Sequence, residues 1–219
     1  MPRSAVVPDL SAIEDLRGSP VDTDRALDSL AQAASTIVDS LADDGTLFVT
    51  GNGGSMADAL HIAGELTKAF ERPRPLPADL QQRLRGIAGG DDLADHLQGG
   101  LRVLAIGADP VLSTAVDNDI ELRFSGFAQH LVALARPRDV LVTISTSGRS
   151  ANVTNAARVA KAIGMPVVLL TGSGAETPLS ELADTVVRAP STVTAEIQGL
   201  HGLLYHALCR VLEDTFYAP

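Results

Sequence analysis

Short apolar segments alternate with longer helical patterns along most of this 219-residue chain. Five short segments rich in β-branched or other apolar residues have the composition of strands buried on both faces: 47–50, 103–106, 140–144, 167–170 and 185–187. Apolar residues recur at helical spacing in the segments that follow them: 56–70, 111–118, 124–135, 151–163 and 178–183. Because parallel strands need crossover connections, this alternation predicts an α/β fold whose parallel sheet is covered by helices on both faces.

Two further helices flank the alternating region. One helical pattern spans residues 22–41, before the first strand, and another spans residues 194–216, after the last strand. The first of these helices lies outside any βαβ unit. We therefore expect the N-terminal helical segment, residues 1–45, to pack on the main domain, residues 46–219, or on another subunit.

Residues 71–102 interrupt the alternation and form a candidate insertion. The segment contains three prolines, five glycines and one short polar helix candidate, residues 78–85. It is too polar to form a core of its own, so we expect a surface excursion. A lid, an oligomer contact and an insertion without function all remain open.

Composition and charge exclude some classes of function. The net charge of −10 argues against a nucleic-acid-binding surface, although not against one locally basic pocket for a small anion.

No apolar run is long enough to span a membrane, and no signal peptide is evident. Cys209 is the only cysteine, and its apolar neighbours predict a buried, inert thiol. We expect a cytoplasmic protein, since a lone thiol suits a reducing compartment.

A loop rich in hydroxyl groups follows the third predicted strand. The segment 139–153 runs from an apolar strand through a polar turn into a helix, and four of six turn residues carry hydroxyl groups: Ser145, Thr146, Ser147 and Ser150. Hydroxyl and backbone N–H groups at the positive end of a helix favour a bound phosphate. The alternative is an ordinary connection in which these side chains only cap the helix.

A second loop of the same kind follows the first predicted strand. It comprises Gly51, Asn52, Gly53, Gly54 and Ser55, and its glycines would let the backbone approach a ligand closely. It matches neither a P-loop nor a GxGxxG motif. Two such loops at the carboxyl ends of neighbouring strands are typical of a ligand site in an open α/β sheet.

Two helices carry polar side chains among apolar ones. His61 and Glu65 are four residues apart, which places both on one face of a helix predicted to be largely buried. The last helix carries Gln198, His201 and His206 among leucines. These groups could supply a general base, an acid and a metal site. A polar surface pair is the alternative for His61 and Glu65.

Taken together, three stretches resemble the signature regions of the phosphoheptose isomerases (sedoheptulose-7-phosphate isomerases) of the SIS-domain family: LFVTGNGGSMADALHIAGELT, DVLVTISTSGRSANV and EIQGLHGLLYHALCRVLE. The resemblance runs from about Asp22 to the C-terminus, apart from the insertion 71–102. It implies a flavodoxin-like three-layer fold with a five-stranded parallel sheet. It also implies a homotetramer whose active sites draw on more than one subunit.

The resemblance assigns roles to individual residues. It implies that Glu65 is the catalytic base and that His206 is the catalytic acid/base. His201 also has a counterpart in the family, but we expect it to be structural. The implied substrate contacts come from both loops, from the segment after the second strand and from the last helix: Asn52, Gly53, Gly54, Ser55, Asp109, Asn118, Asp119, Ser145, Thr146, Ser147, Ser150 and Gln198. Some members bind Zn²⁺, and the matching positions are His61, Glu65, Gln198 and His206.

The chain departs from the family pattern at several places. Arg149 stands where an asparagine is usual, and Lys68-Ala69 replaces a Gly-Arg pair, so Lys68 is a candidate substitute for a phosphate-side arginine. The expected reaction is isomerisation of sedoheptulose 7-phosphate to a D-glycero-heptose 7-phosphate through an enediol(ate). The alternatives are a non-catalytic SIS protein that binds another protein and a sugar-phosphate-sensing module. Because Glu65 and His206 are both present, the sequence favours the enzyme.

Overall fold

The computed structural model describes residues 6–217, so the outermost residues of the predicted segments 1–45 and 46–219 lie outside the described part of the chain. Five parallel strands form one sheet in the order β2-β1-β3-β4-β5. The strands are β1 (Leu47–Gly51), β2 (Val103–Ala105), β3 (Val140–Ile144), β4 (Val167–Gly172) and β5 (Thr185–Ala189). This order is the flavodoxin-like one, and the predicted fold class is confirmed.

The helices largely follow the predicted pattern. Those before the second strand are α1 (Ser11–Glu14), α2 (Asp24–Ala42), α3 (Gly54–Thr67), α4 (Ala78–Arg85) and α5 (Asp91–His96). Those after it are α6 (Pro110–Asp119), α7 (Gly126–Leu134), α8 (Ala151–Ile163), α9 (Pro178–Leu182) and α10 (Thr194–Tyr217). Helix α5 was not predicted, and α3 ends three residues earlier than predicted. None of the helices in residues 6–217 has the length and apolarity needed to cross a membrane.

Hydrophobic clusters on the two faces of the sheet create the three layers. In β3, Val140 and Val142 pack with α2, α3 and α10, whereas Leu141 packs with α7 and α8 on the opposite face. This alternation follows from the two-residue period of a strand. Strand β2 is an exception, because it lies at the sheet edge and Leu104 is 39% exposed. The prediction that this strand is buried on both faces is wrong, because the face that carries Leu104 is left partly open, whereas Val103 and Ala105 pack on the other face.

The N-terminal helices belong to the same core as the rest of the chain. Ile13 of α1 and Leu30 of α2 are buried in the cluster that includes α10. Thr23 caps α2, since its hydroxyl accepts a hydrogen bond from the Ala26 N–H at 3.2 Å. The N-terminal segment therefore covers one face of the sheet.

The insertion is a helical hairpin tied down at its base. Helices α4 and α5 contact each other, and α4 buries none of its residues. An antiparallel bridge between Pro75 and Gln98 closes the hairpin. Next to this bridge Arg74 is almost fully buried, and its Nε donates to Glu213 of α10 at 2.8 Å. The expected surface excursion is present, but its base is an ion pair inside the protein.

Glu213 is held in its charged form by several donors. Burial acts to raise the pKa of this carboxyl group, but the backbone N–H groups of Phe70 and Glu71 and the Arg74 guanidinium outweigh it, so the pKa lies below its ordinary value. The two N–H groups donate over 2.9 and 2.8 Å. This carboxylate therefore joins α10 to the segment that follows α3.

Candidate active site

The two predicted ligand loops lie side by side. The loop after β1 and the loop after β3 follow paired parallel strands, in which Gly51 is in register with Ile144. Both loops therefore lie at the carboxyl edge of the sheet, where ligands bind in open α/β folds. Helices α3 and α8 begin directly after them and point their N-termini at the same edge.

The loop after β3 folds around its own hydroxyl groups. The Ser145 hydroxyl accepts the Gly148 N–H at 3.2 Å and lies 3.3 Å from the Ser150 hydroxyl. Gly148 has a φ of +63°, and a Cβ there would lie 2.6 Å from Oγ1 of Thr177, so this position requires glycine. The Ser150 side chain makes no capping hydrogen bond to α8, which argues against the alternative that these hydroxyls serve only as caps.

A cavity of about 190 Å³ opens beside this loop. It is lined by Thr146, Ser147, Arg149 and Arg188, among others. Arg188 is neutralised by Glu176, 2.8 Å away, and also donates to two backbone carbonyls. The guanidinium of Arg149, in contrast, has no partner among the described residues. The cavity therefore contains hydroxyl groups and one uncompensated positive charge.

The loop after β1 allows α10 to approach closely. A Cβ on Gly54 would lie 2.3 Å from Nε2 of Gln198, so only glycine leaves room for this amide. Asn52 is exposed, whereas Ser55 is buried at the start of α3. Two residues predicted to contact substrate, Gly54 and Gln198, are thus brought together from opposite ends of the chain.

His61 and Glu65 of α3 form a hydrogen-bonded pair. Nε2 of His61 lies 3.1 Å from Oε1 of Glu65, and Nδ1 lies 3.1 Å from the Tyr205 hydroxyl. Nζ of Lys68 lies 3.8 Å from the other oxygen of Glu65, so this lysine accompanies the carboxylate. The prediction that α3 is largely buried is wrong: one face of the helix is open, and the side chain of His61 is 45% exposed.

His206 of α10 completes a group that we call the histidine cluster, formed by His61, Glu65, Tyr205 and His206. The His206 ring is 5.0 Å from the His61 ring, between centroids, and 4.6 Å from the Tyr205 ring. Its other neighbour is Phe70, whose ring is stacked 5.9 Å away. The cluster therefore brings a carboxylate, two imidazoles and a phenol together from two helices.

Tyr205 and Asp58 are members of this region that the sequence reasoning missed. Burial, together with the negative charge of Asp58, raises the pKa of Tyr205. Burial also raises the pKa of Asp58, and the positive charges that His61 and His206 carry when protonated act against that rise. Oδ2 of Asp58 is buried without a hydrogen-bond partner in the described structure. The available sequence signal was its position one helical turn before His61.

Three predicted substrate contacts lie in a different setting. The carboxylate of Asp109 caps α6, accepting the Val111 N–H at 2.8 Å. The Asn118 side chain donates to Asp119 at 2.8 Å, and Asn118 lines a separate cavity of about 440 Å³. The structure brings none of the three into the hydrogen bonds of the loops or the histidine cluster. Their contact with substrate stays a prediction.

His201 and Cys209 are internal, as predicted. His201 is fully buried, and its Nε2 lies 3.3 Å from the Thr171 carbonyl oxygen. Burial lowers the pKa of this imidazole to about 4, which keeps it neutral at pH 7. Cys209 is also fully buried, and burial raises the pKa of its thiol, so it is a poor nucleophile.

Three of the four predicted zinc ligands, His61, Glu65 and His206, are donors of the type that zinc prefers, but the four do not form a coordination sphere as placed. In residues 6–217 no three His, Cys, Asp or Glu side chains are positioned to hold one metal ion. Both ring nitrogens of His61 already have protein partners, and Gln198 lies against Gly54. Zinc binding by His61, Glu65, Gln198 and His206 therefore stays a prediction.

Comparison with known proteins agrees with the fold and the motifs. The SIS domain family model matches residues 21–99 and 92–172. A phosphoheptose isomerase from Shewanella sp. (strain ANA-3) is 35% identical over 201 residues, which cover 90% of this chain and 89% of that protein. This chain belongs to the SIS-domain family.

Solved structures point to the same group within the family. Phosphoheptose isomerase GmhA from Neisseria gonorrhoeae has a TM-score of 0.69 and 30% identity, with 94% of this chain and 92% of that chain covered. A phosphoheptose isomerase from Francisella tularensis has a TM-score of 0.72 and 28% identity, with 93% and 94% covered. Over nearly its whole length, the chain is therefore similar to phosphoheptose isomerases.

Proposed function

We propose that this protein is a phosphoheptose isomerase that converts sedoheptulose 7-phosphate into a D-glycero-heptose 7-phosphate. The observation that carries the proposal is the histidine cluster, in which the carboxylate of Glu65 and the ring of His206 both lie beside His61. Ketose–aldose isomerisation needs such a base and acid/base. A non-catalytic binding role is not favoured, because the relatives similar over nearly the whole chain are named as isomerases.

The loop after β3 would hold the phosphate of an open-chain sugar. Support comes from the hydroxyl groups of Ser145, Thr146, Ser147 and Ser150, which surround the N-terminus of α8. Backbone N–H groups and the helix dipole favour an anion there. Binding energy from the phosphate, far from the reacting carbons, would orient the other end of the sugar. Asn52 and Ser55 would then contact that end from the neighbouring loop.

Glu65 would act on the carbon next to the carbonyl group. Its carboxylate would remove a proton from C1 of the ketose, giving an enediol(ate), and the proton would return to C2 to give the aldose. His206 would carry the accompanying proton from the C1 oxygen to the C2 oxygen. The hydrogen bond from His61 and the nearby ammonium group of Lys68 support a fixed orientation of the Glu65 carboxylate.

We also propose a cytoplasmic homotetramer in which a second subunit contributes to each site. Leu60 of α3 and Leu203 of α10 are 49% and 39% exposed, although each lies within three residues of the histidine cluster. Exposed apolar residues beside a catalytic group suit a covered interface.

Zinc remains part of the proposal as a bound Lewis acid. Measuring the metal content of the purified protein tests whether zinc is bound.

Turnover of sedoheptulose 7-phosphate, followed by NMR, tests the proposed function. The wild type should give an aldose phosphate, and Glu65→Gln and His206→Ala should each lose about 10²- to 10⁴-fold in kcat, the usual contribution of a general acid or base. Glu181→Gln and His96→Ala are matched controls on exposed positions and should keep full activity. Undiminished activity in Glu65→Gln or His206→Ala would remove the role of that residue.

A further inference from the structure

A pair of amide side chains joins the two ligand loops. Nδ2 of Asn52 donates to Oδ1 of Asn152 at 2.9 Å, and Nδ2 of Asn152 donates to Oδ1 of Asn52 at 2.7 Å. Asn52 belongs to the loop after β1, and Asn152 lies in the first turn of α8, two residues after Ser150. The pair therefore joins Asn52, a predicted sugar contact, to the first turn of the helix that follows Ser150, a predicted phosphate contact.

The direction of this amide pair is fixed by the backbone. The Val153 N–H donates to Oδ1 of Asn152 at 3.0 Å. A backbone N–H can only donate, so it identifies that atom of Asn152 as the oxygen and the other as the NH₂ group. The NH₂ group of Asn152 must in turn face the oxygen of Asn52. The orientation of the Asn52 amide thus follows from the start of α8.

We propose that Asn152 is a positioning residue that sets which way the Asn52 amide faces the sugar. The inference rests on the proposed function, in which Asn52 contacts substrate. With the pair intact, Asn52 gives one N–H and one lone pair of its oxygen to Asn152, and its other N–H and its other lone pair stay available to the ligand in fixed positions. Without Asn152 the amide can rotate by 180° and exchange the positions of its donor and its acceptor. Asn152 would thereby act on the reaction without touching the sugar.

A double-mutant cycle tests this role. Asn152→Ala should lower kcat for sedoheptulose 7-phosphate by roughly two- to tenfold, the value of one hydrogen bond. Inhibition by inorganic phosphate should stay within about twofold of wild type, since the loop hydroxyls are untouched. If Asn152 acts only through Asn52, the double variant Asn52→Ala/Asn152→Ala should be no slower than Asn52→Ala alone. Losses that multiply would overturn the proposal.

A matched control separates positioning from general damage. Asn155 lies one turn further along α8, and its NH₂ group donates to the Phe124 carbonyl oxygen at 3.2 Å, away from both loops. Asn155→Ala should leave kcat unchanged. A loss of kcat equal to that of Asn152→Ala would mean that any change on this face of α8 is harmful, which would overturn the specific role of Asn152.

Side-chain NMR keeps the inference testable apart from turnover. The chain has four asparagines, so labelling asparagine with ¹⁵N gives four pairs of side-chain signals, and Asn52→Ala identifies the pair from Asn52. The chemical shifts of the two Asn52 NH₂ protons should be well separated in the wild type. This separation should become smaller in Asn152→Ala but should stay unchanged in Asn155→Ala. An unchanged Asn52 signal in Asn152→Ala would refute the proposal. A wild type that does not turn over the sugar would refute the proposed function only.

Discussion

Replacing Arg74 with methionine should destabilise the protein strongly, although this residue lies at the base of a surface insertion. The Arg74 side chain is 0% exposed, and its three nitrogens donate to Oε1 of Glu213 at 2.8 Å, to the Leu66 carbonyl at 2.8 Å and to the Glu65 carbonyl at 3.2 Å. Methionine keeps much of the apolar stem but none of the donors. The Glu213 carboxylate would then stay buried without its counter-charge.

The expected cost follows from these contacts. Removing one partner of a buried ion pair costs about 3–5 kcal/mol. The backbone N–H groups of Phe70, Glu71 and Arg72 would still reach Glu213, so we expect the lower end, about 3 kcal/mol. For a chain of this size that lowers Tm by about 6–12 °C.

Urea unfolding followed by circular dichroism measures this cost. Arg210→Met is the matched control, because Arg210 pairs with Glu71 over 2.6 Å but both side chains are nearly half exposed. Exposed pairs contribute about 1 kcal/mol or less. If the unfolding free energies of Arg74→Met and Arg210→Met fall by the same amount, the argument from burial is refuted.

Three further predictions concern pH, the phosphate loop and the sugar loop. In the unfolded chain His201 becomes protonated as the pH falls below its ordinary pKa of 6.5, but in the folded protein burial delays protonation until about pH 4. Between these two pH values the unfolded state binds the extra proton, so the free energy of unfolding is highest above pH 6.5 and falls as the pH drops to about 4. The loss amounts to roughly 3 kcal/mol, and urea unfolding across this range should show a weaker pH dependence in His201→Gln. Arg149→Asn should weaken inhibition by inorganic phosphate about fivefold, measured at low salt, while Arg158→Asn, which changes an exposed arginine on the helix that follows this loop, should not. Gly54→Ala should displace Gln198 and lower kcat about tenfold with little change in Tm, and normal kinetics would show that Gln198 is not needed there.

The sheet could be predicted because its strands are short runs of β-branched and apolar residues. The predicted segment 140–144 coincides with β3, and the other predicted strands differ from the observed ones only at their ends. Helix α5 escaped prediction, since its sequence, DDLADH, carries too few apolar residues to produce a helical pattern. The open face of α3 was also missed, because an apolar residue predicts burial but does not say whether the cover comes from the same chain.

Contacts between distant parts of the chain account for what could not be predicted at the site. Arg74 and Glu213 are 139 residues apart, and Asn52 and Asn152 are 100 apart. Nothing in the local sequence pairs them. Tyr205 likewise has the spacing of a core residue in α10, and only the folded structure brings its hydroxyl to His61. Residue types at the two loops could be recognised, whereas the partners that orient them could not.

The base of the helical hairpin has a practical consequence for handling this protein. Pro75 and Gln98 meet at a single bridge, and the Gly99 N–H donates to the Arg74 carbonyl at 2.7 Å, so the two ends of the segment between them lie close together. A short turn could span that gap, since closing a small loop costs little chain entropy. Replacing the hairpin with such a turn should therefore leave the sheet in place, and the exposed helices at its tip suit the attachment of a fluorophore or a fused domain.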